Sequence, residues 1–590
     1  MWLKIRRFGG GGWRSIIPSP GYDIIPAPGN RQSVPSLSGS PHVYLESRHS
    51  SLLPFHPTSL LFTMATHADR INPLRAQIAR FHETRTPFRI YHGSTNSTRN
   101  ASLTPTNTLS TAHLTNVLSV DHAAKTIQVE PNVPMDALLN ATLAYNLVPL
   151  VVMEFPGITA GGGFSGTSGE SSSFRHGFFD ATVTRIEIIL GNGEIRTASR
   201  TENAELFNAA ASAFGTMGVI TMLEIQCRDA KSFVELSYIP ARSISDARQI
   251  FYEKTQDPDV DYLDGIVFAK DHVVVCAGRL SDGSLSKDDK TQRYKIQHFT
   301  RPHDPWFYLH AQRSGRVTPP SSAPVEPTTE LVPLPDYLFR YDRGAFWTGR
   351  YAYKYFITPF NRITRYLLDY FMHTRVMYHA LHASGHSNQY IIQDVAVPYS
   401  SADTFVTWLD EPENFGAYPI WLCPLKVTDK TSTSNPQIIG RGKPSLPSPS
   451  SPAEKEEDEY LLNFGLWAPS PYRGAQFIAQ NRRLEHKVRD LGGKKWLYAC
   501  AYYTEDEFWD IYDKKRYDAL REKYHAGYLK NLYEKVRVDL NPSATEKERQ
   551  AGMGWGQWVG NVMWNVWPVS GLYGVYRAWW GGEYLLKKGK

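Results

Sequence analysis

The stretch from Gly157 to Gly177 limits what this chain can fold into more than any other. Glycines stand at 157, 161, 162, 163, 166 and 169, and hydroxyl side chains at 159, 165, 167, 168 and 171–173. Such a segment lets backbone N–H groups approach a ligand closely and adds further donors. That suits a pyrophosphate whose charge is met by amides and not by lysines. The segment lacks the Gly-Lys-Ser/Thr ending of a P-loop and does not have the spacing of a dinucleotide-binding turn. A flexible linker is the alternative reading, and apolar runs on both sides argue against it. A second small polar loop, Arg89-Ile-Tyr-His-Gly-Ser-Thr-Asn-Ser-Thr, follows a strand farther upstream.

The rest of the pattern places both loops in one domain. Ile71–Phe81 has helical spacing, and Phe88–Tyr91 and Thr126–Glu130 read as strands. Met135–Tyr145 reads as a helix with Met135, Leu138, Leu139 and Leu143 on one face. Val183–Leu190 and Glu194–Thr197 form a hairpin around Asn192-Gly193, which suits a tight turn. Glu202–Ala211 is helical and Val219–Cys227 is a strand. Short strands mixed with helices, without regular βαβ alternation, predict an α+β fold.

We divide the chain as 1–63, 64–230, 231–540 and 551–590. The first stretch is rich in Gly, Pro and Ser and reads as a disordered leader, either a presequence or an extension before a natural start at Met64. The region 231–540 has two Pro/Ser-rich surface loops, 314–335 and 430–458. Met553–Tyr576 carries no charge but many Trp and Tyr residues, and the chain ends in Lys587-Lys588-Gly589-Lys590. The aromatic stretch reads as a membrane-associating tail, lying on the surface or as a single C-terminal anchor. The last four residues fit a dilysine retrieval signal of the endoplasmic reticulum.

Charge and cysteines exclude other classes. The net charge is only +6, from 64 basic and 58 acidic residues, which does not suggest nucleic acid as a partner. Cys227, Cys276, Cys423 and Cys500 are widely spaced, so neither a disulfide framework nor a metal site is expected.

Residues 88 to 227 resemble the FAD-binding domain of the vanillyl-alcohol oxidase superfamily. The matching residues are Val129-Glu-Pro, Thr159-Ala-Gly-Gly, Gly166-Thr with Glu170-Ser-Ser-Ser, His176-Gly-Phe-Phe and Gly215-Thr-Met-Gly. Farther on, the matches are Phe307-Tyr-Leu-His, Arg340 with Arg343, Phe346-Trp347, Gln393-Asp394, Phe508-Trp509 and Tyr418-Pro-Ile-Trp-Leu-Cys-Pro424. Over residues 88–530 these resemble the Δ24-sterol reductase family, the last string being the most specific. Two departures stand out. The family's histidines around Arg340 are replaced in Leu338-Phe-Arg-Tyr-Asp-Arg343, and Gly163 and Phe164 stand where the family has aliphatic residues.

The resemblance implies a two-subdomain, PCMH-type FAD-binding domain followed by an α+β substrate or cap domain. It implies FAD held non-covalently and NADPH as co-substrate, reducing the side-chain double bond of a sterol. It assigns the cofactor to Arg89, His92, Gly93, Ser94, Thr95 and Asn96 of the first loop. From the glycine segment it adds Gly157, Thr159, Ala160, Gly161, Gly162, Gly163, Ser165, Gly166, Thr167, Gly169, Glu170, Ser171, Ser172 and Gly177. Gly218 and Ile220 complete that set, and Arg340, Arg343, Trp347 and Trp421 are expected at the substrate. One alkene carbon needs a proton, and Tyr341, Asp394 and Glu170 are the candidate donors, with Cys423 and His92 behind them. The expected location is the cytosol-facing endoplasmic reticulum membrane, with mitochondrial or cytoplasmic alternatives. Rival readings are a sugar-alcohol or aldonolactone oxidase and an inactive membrane-associated scaffold.

Overall fold

The computed structural model describes residues 65–93, 103–283, 295–316, 327–426, 460–541, 564 and 566–580. The leader 1–63, Ser94, Thr95, Asn96, the loop 430–458, part of the loop 314–335 and the terminal lysines lie outside these residues.

The first helix, His67–Glu83, begins at a capping box: the Thr66 hydroxyl accepts from Asp69 N–H, and the Asp69 carboxylate accepts from Thr66 N–H. It buries Ile71, Leu74 and Ile78. Strands β1 (Arg89–Tyr91) and β2 (Thr108–Ser110) then pair in parallel. Six more strands follow: β3 (Val117–Asp121), β4 (Thr126–Val129), β5 (Leu147–Pro149), β6 (Val183–Ile189), β7 (Ile195–Ser199) and β8 (Val219–Asp229). They form an antiparallel sheet in the order β3-β4-β8-β6-β7, with β5 on the far end of β8. The hairpin expected around Asn192-Gly193 is β6–β7, and Gly193 has a φ of +88°.

A larger antiparallel sheet holds β9 (Phe233–Ala241), β10 (Tyr262–Ala269), β11 (His272–Ser281), β12 (Thr328–Pro333), β13 (Tyr390–Pro398), β14 (Ile420–Lys426), β15 (Tyr460–Pro469) and β16 (Lys494–Lys495). Its order is β12-β9-β11-β10-β14-β15-β13-β16. Side chains alternate across it. Trp421, Cys423 and Leu425 of β14 join a core that runs on to Ile127 and Val129 of the first sheet. Ile420 and Leu422 point the other way, into a core with the helices Ile244–Gln256, Ala402–Leu409 and Gly474–Asp490. Both faces are therefore covered, and β10 and β15 are buried along nearly their whole length.

The chain then turns back. Leu497, Phe508, Tyr517 and Tyr533 pack on Ala209, Ala213 and Met217, next to the first sheet. The sequence division at 230 keeps these residues with the second region; in the structure they buttress the first. The last described helix, Val569–Trp580, lies against Thr374–Ser384 and buries its smallest residues, Ser570, Gly571 and Gly574. Among the described residues no helix is long and apolar enough to cross a membrane.

Candidate active site

The glycine segment is not an open loop. Ala160–Gly166 is a short helix, capped by Thr159, whose hydroxyl accepts from Gly162 N–H at 3.1 Å. Glycine is a poor helix former, so packing decides the matter here. A Cβ on Gly161 would sit 2.7 Å from Pro131 Cβ, and one on Gly163 would sit 2.5 Å from Met153 Cε and 2.8 Å from the Phe179 ring. These two glycines let the helix seat on its neighbours. Phe164 fills the core beside Phe207, so the departure from the family at 163–164 is a packing feature. On the other side, a Cβ on Gly162 would meet only Thr159 Oγ1, and one on Gly166 only Phe214 at 3.7 Å.

That open side faces a cavity of about 690 Å³, within the range of small-molecule and cofactor pockets. One part of it is walled by backbone and small side chains. Gly157, Thr159, Gly161, Gly162, Ser165, Gly166 and Gly169 contribute from the glycine segment, Gly218 and Ile220 from the start of β8, and Arg89 and His92 from β1 and its end. Lys535 also lines this part, and its ammonium donates to the Phe214 carbonyl. The other part is apolar. Phe356, Leu368, Phe371, Met372, Met377 and Leu381 line it, together with Leu572, Val575 and Ala578 of the terminal helix.

Several expected residues stand away from the cavity wall. Ala160, Gly163, Thr167, Ser171, Ser172 and Gly177 shape the glycine segment from behind, and Gly93 in the first loop has a φ of +89°. Glu170 is buried, accepting from the Ser171 hydroxyl at 2.7 and 2.8 Å and from Ser172 N–H at 3.1 Å. Burial pushes its carboxyl up to about 7, against the pull of Arg340 and Ser171. Tyr341 donates to Asp264 Oδ2 at 2.7 Å and stacks on Phe346. Arg340 pairs with Asp264, and Arg343 with Asp369 at 2.7 Å and with three backbone carbonyls. Trp347 donates to the Trp467 carbonyl, and Trp421 to Asp264. Cys423 is buried within β14, and burial drives its thiol well up. The four residues expected at the substrate thus stand one layer behind the wall. There Trp347 and Trp421 back Phe346 and Trp467, which do line it.

Of the three leading donor candidates, only Asp394 lines the cavity. It accepts from Asn463 Nδ2 at 3.2 Å. Burial raises it to about 6, opposed by hydrogen bonds from Tyr498, Asn463 and Trp467. Beside it the structure places three lining residues that the sequence reading missed: Glu154, Tyr378 and Tyr498. Glu154 is raised to about 8, first by burial and then by the negative charges of Glu170 and Asp394. By surface area it is only half-buried, but its accessible surface belongs to the cavity wall. A signal was present: Glu154 is the only charged residue between Leu147 and Ile158. Lys535 offered none, since it reaches the site through the returning chain.

The architecture and the glycine-lined wall define a flavoprotein class: residues 66–199 match the FAD binding domain family. Over most of its length the chain is similar to Delta(24)-sterol reductases. It is 26% identical to the Homo sapiens Delta(24)-sterol reductase over 418 residues, 70% of this chain and 74% of the relative. It is 28% identical to the Arabidopsis thaliana Delta(24)-sterol reductase over 458 residues, 73% and 76% of the two chains. A shorter stretch of 135 residues is 32% identical to cytokinin dehydrogenase 9 of Oryza sativa, 22% of this chain and 25% of that one.

Proposed function

We propose that this protein is an FAD-dependent reductase of the Δ24 double bond in a sterol side chain, with NADPH as reductant. The observation that carries the reading is the single cavity that joins a glycine-lined part to an apolar one, in a chain similar to Delta(24)-sterol reductases. Residues 64–230 act as the two-subdomain, PCMH-type FAD-binding domain and 231–540 as the substrate cap. The fit to FAD rests on Gly166, where a Cβ would meet only Phe214 at 3.7 Å, on Gly162 beside it on the wall, and on Arg89 as a cation there. FAD would be held non-covalently by these residues with His92, Gly161, Ser165 and Gly218. When reduced, it supplies the hydride.

The protein's own residues do the rest. Phe371, Met372, Met377 and Leu381 hold a rigid apolar skeleton and exclude water, which strengthens every charge interaction inside. The faces of Phe346 and Trp467 stabilise positive character at the alkene. Of Tyr341, Asp394 and Glu170, Asp394 lines the cavity and faces a bound molecule. The deciding experiment uses the purified full chain without oxygen. NADPH should bleach the flavin, and a Δ24-unsaturated sterol should restore its colour. Bleaching by a polyol and not by NADPH would favour a sugar-alcohol or aldonolactone oxidase; a flavin-free protein would favour a scaffold.

The partner surface follows from the same cavity. Leu572, Tyr573, Tyr576, Trp579 and Trp580 of the terminal helix are exposed, as are Ile363, Tyr366, Leu367 and Tyr370. Both groups belong to stretches that also line the apolar part. An exposed apolar and aromatic face of this kind fits a bilayer interface, from which an insoluble sterol enters. The surface in question is the cytosolic face of the endoplasmic reticulum.

A further inference from the structure

Four ionisable groups meet on the cavity wall: Glu154, Asp394, Tyr378 and Tyr498. They come from separate elements. Glu154 precedes the glycine helix, Asp394 lies on β13, Tyr378 on the helix Thr374–Ser384, and Tyr498 just after β16. The two carboxyls are treated differently by their surroundings. Asp394 accepts from Asn463, Tyr498 and Trp467, with Lys495 nearby. Donors aimed at a carboxylate favour its charged form. Among the described residues no other side chain hydrogen-bonds to Glu154. After burial, the charges of Glu170 and Asp394 push its carboxyl up, against a hydrogen bond from its own backbone and the charge of Arg340. Two carboxyls sharing one low-dielectric site separate into an acid and a base, as paired carboxyls in enzyme sites do.

Resting on the reductase reading above, we infer that Glu154 gives its proton to the alkene carbon that does not receive the hydride, with Asp394 as the charged positioning residue behind it. The step balances. A hydride from the reduced cofactor forms a C–H bond at one carbon. The π electron pair of the alkene takes the Glu154 proton at the other carbon, and the O–H bond breaks. Glu154 is left as a carboxylate, which recovers a proton from water before the next turnover, while NADPH supplies the next hydride. Tyr378 and Tyr498 stay neutral, since burial raises both hydroxyls.

The test uses the flavin-loaded full chain. In E154Q, flavin content and bleaching by NADPH should match wild type, while recolouring by a Δ24-unsaturated sterol slows about 100-fold or more. E154D should recover part of that loss. In wild type the recolouring rate should fall as pH rises through about 8. D394N removes a negative neighbour, which lowers the pH at which Glu154 ionises, so the falling limb should move to lower pH. A second readout needs no turnover: the infrared band of protonated carboxyls at neutral pH should lose intensity in E154Q, with Glu170 accounting for what remains, and keep the Glu154 contribution in D394N. E154Q as fast as wild type overturns the inference, as does D394N carrying the whole loss with an unshifted limb. If sterol fails to recolour wild type, the reductase reading itself falls.

Discussion

Arg340 and Asp264 form an ion pair 2.8 Å apart in which neither side chain has any exposed surface. The same Asp264 oxygen accepts from Tyr341 and Trp421, and the guanidinium lies 4.0 Å from the Tyr337 ring centroid. One carboxylate on β10 therefore ties β14 to the turn that follows the helix Leu334–Leu338. Arg340, Asp264, Tyr341 and Trp421 thus form an internal strut behind the aromatic wall.

Asp264→Asn should leave Arg340 as an uncompensated buried charge and cost about 3–5 kcal/mol. Arg340→Met alone should cost a similar amount. The double variant should cost less than the sum of the two, because neither charge then remains unpaired. Chemical denaturation of the flavin-loaded protein measures all three, and additive losses would show that the pair is not coupled.

The glycine helix makes two opposite predictions within seven residues. Gly161→Ala places a methyl 2.7 Å from Pro131 Cβ and 3.0 Å from the Pro131 carbonyl oxygen, in a wall that cannot step aside. Overpacking of this kind costs about 1–3 kcal/mol, so the melting temperature of the flavin-free protein should fall. Gly166→Ala meets only Phe214 at 3.7 Å. It should fold as wild type does and lose flavin affinity alone, because its methyl enters the cavity. A Gly161→Ala protein as stable as wild type would refute the packing account.

These two glycines also show what the sequence could disclose. A run of glycines and hydroxyls announces close approach, and it located the cavity wall. It could not say that Gly163 serves only Met153 and Phe179, that Gly161 both seats on Pro131 and lines the cavity, or that Gly166 is open to the cavity, since those roles need the neighbours. Helices and the β6–β7 hairpin were legible because their periods and turn residues are local. The eight-stranded sheet was not: β10 and β15 are covered on both faces, so their sequences carry no polar alternation. Arg340 was legible as important and misleading as to role, because a buried ion pair and a substrate anchor use the same residue types. Glu154 was legible in principle as one charge in an apolar run.

His373 supplies a pH prediction. Burial opposes its charged form, but hydrogen bonds to Asp342 and Asp369 outweigh that and raise it to about 9 from the usual 6.5. A folded-state value above the unfolded one means that the contribution to stability is complete below about pH 6.5 and disappears as pH rises through about 9. His373→Gln should therefore destabilise the protein most in mildly acidic buffer and least above about pH 9. Denaturation midpoints for both proteins across that range test it, and a constant difference would mean that His373 acts through packing alone.

The terminal helix should be both a wall of the cavity and the seat on the membrane, and two variants separate these roles. A Cβ on Gly574 would sit 2.6 Å from the Ala380 carbonyl oxygen, so Gly574→Leu cannot keep the helix on Thr374–Ser384. Trp567 Nε1, which donates to the Tyr355 carbonyl at 2.8 Å, would lose its support as well. Recolouring of the flavin by sterol should then slow, while bleaching by NADPH stays at the wild-type rate, because Leu572, Val575 and Ala578 have left the apolar part only. Trp579 and Trp580 are 63% and 70% exposed and do not line the cavity. Replacing both with Ser should leave turnover of detergent-dispersed sterol intact and reduce co-sedimentation with phosphatidylcholine vesicles. Equal binding of wild type and the double Ser variant to vesicles would remove this face from the membrane contact, and a Gly574→Leu enzyme with unchanged sterol turnover would remove the helix from the substrate site.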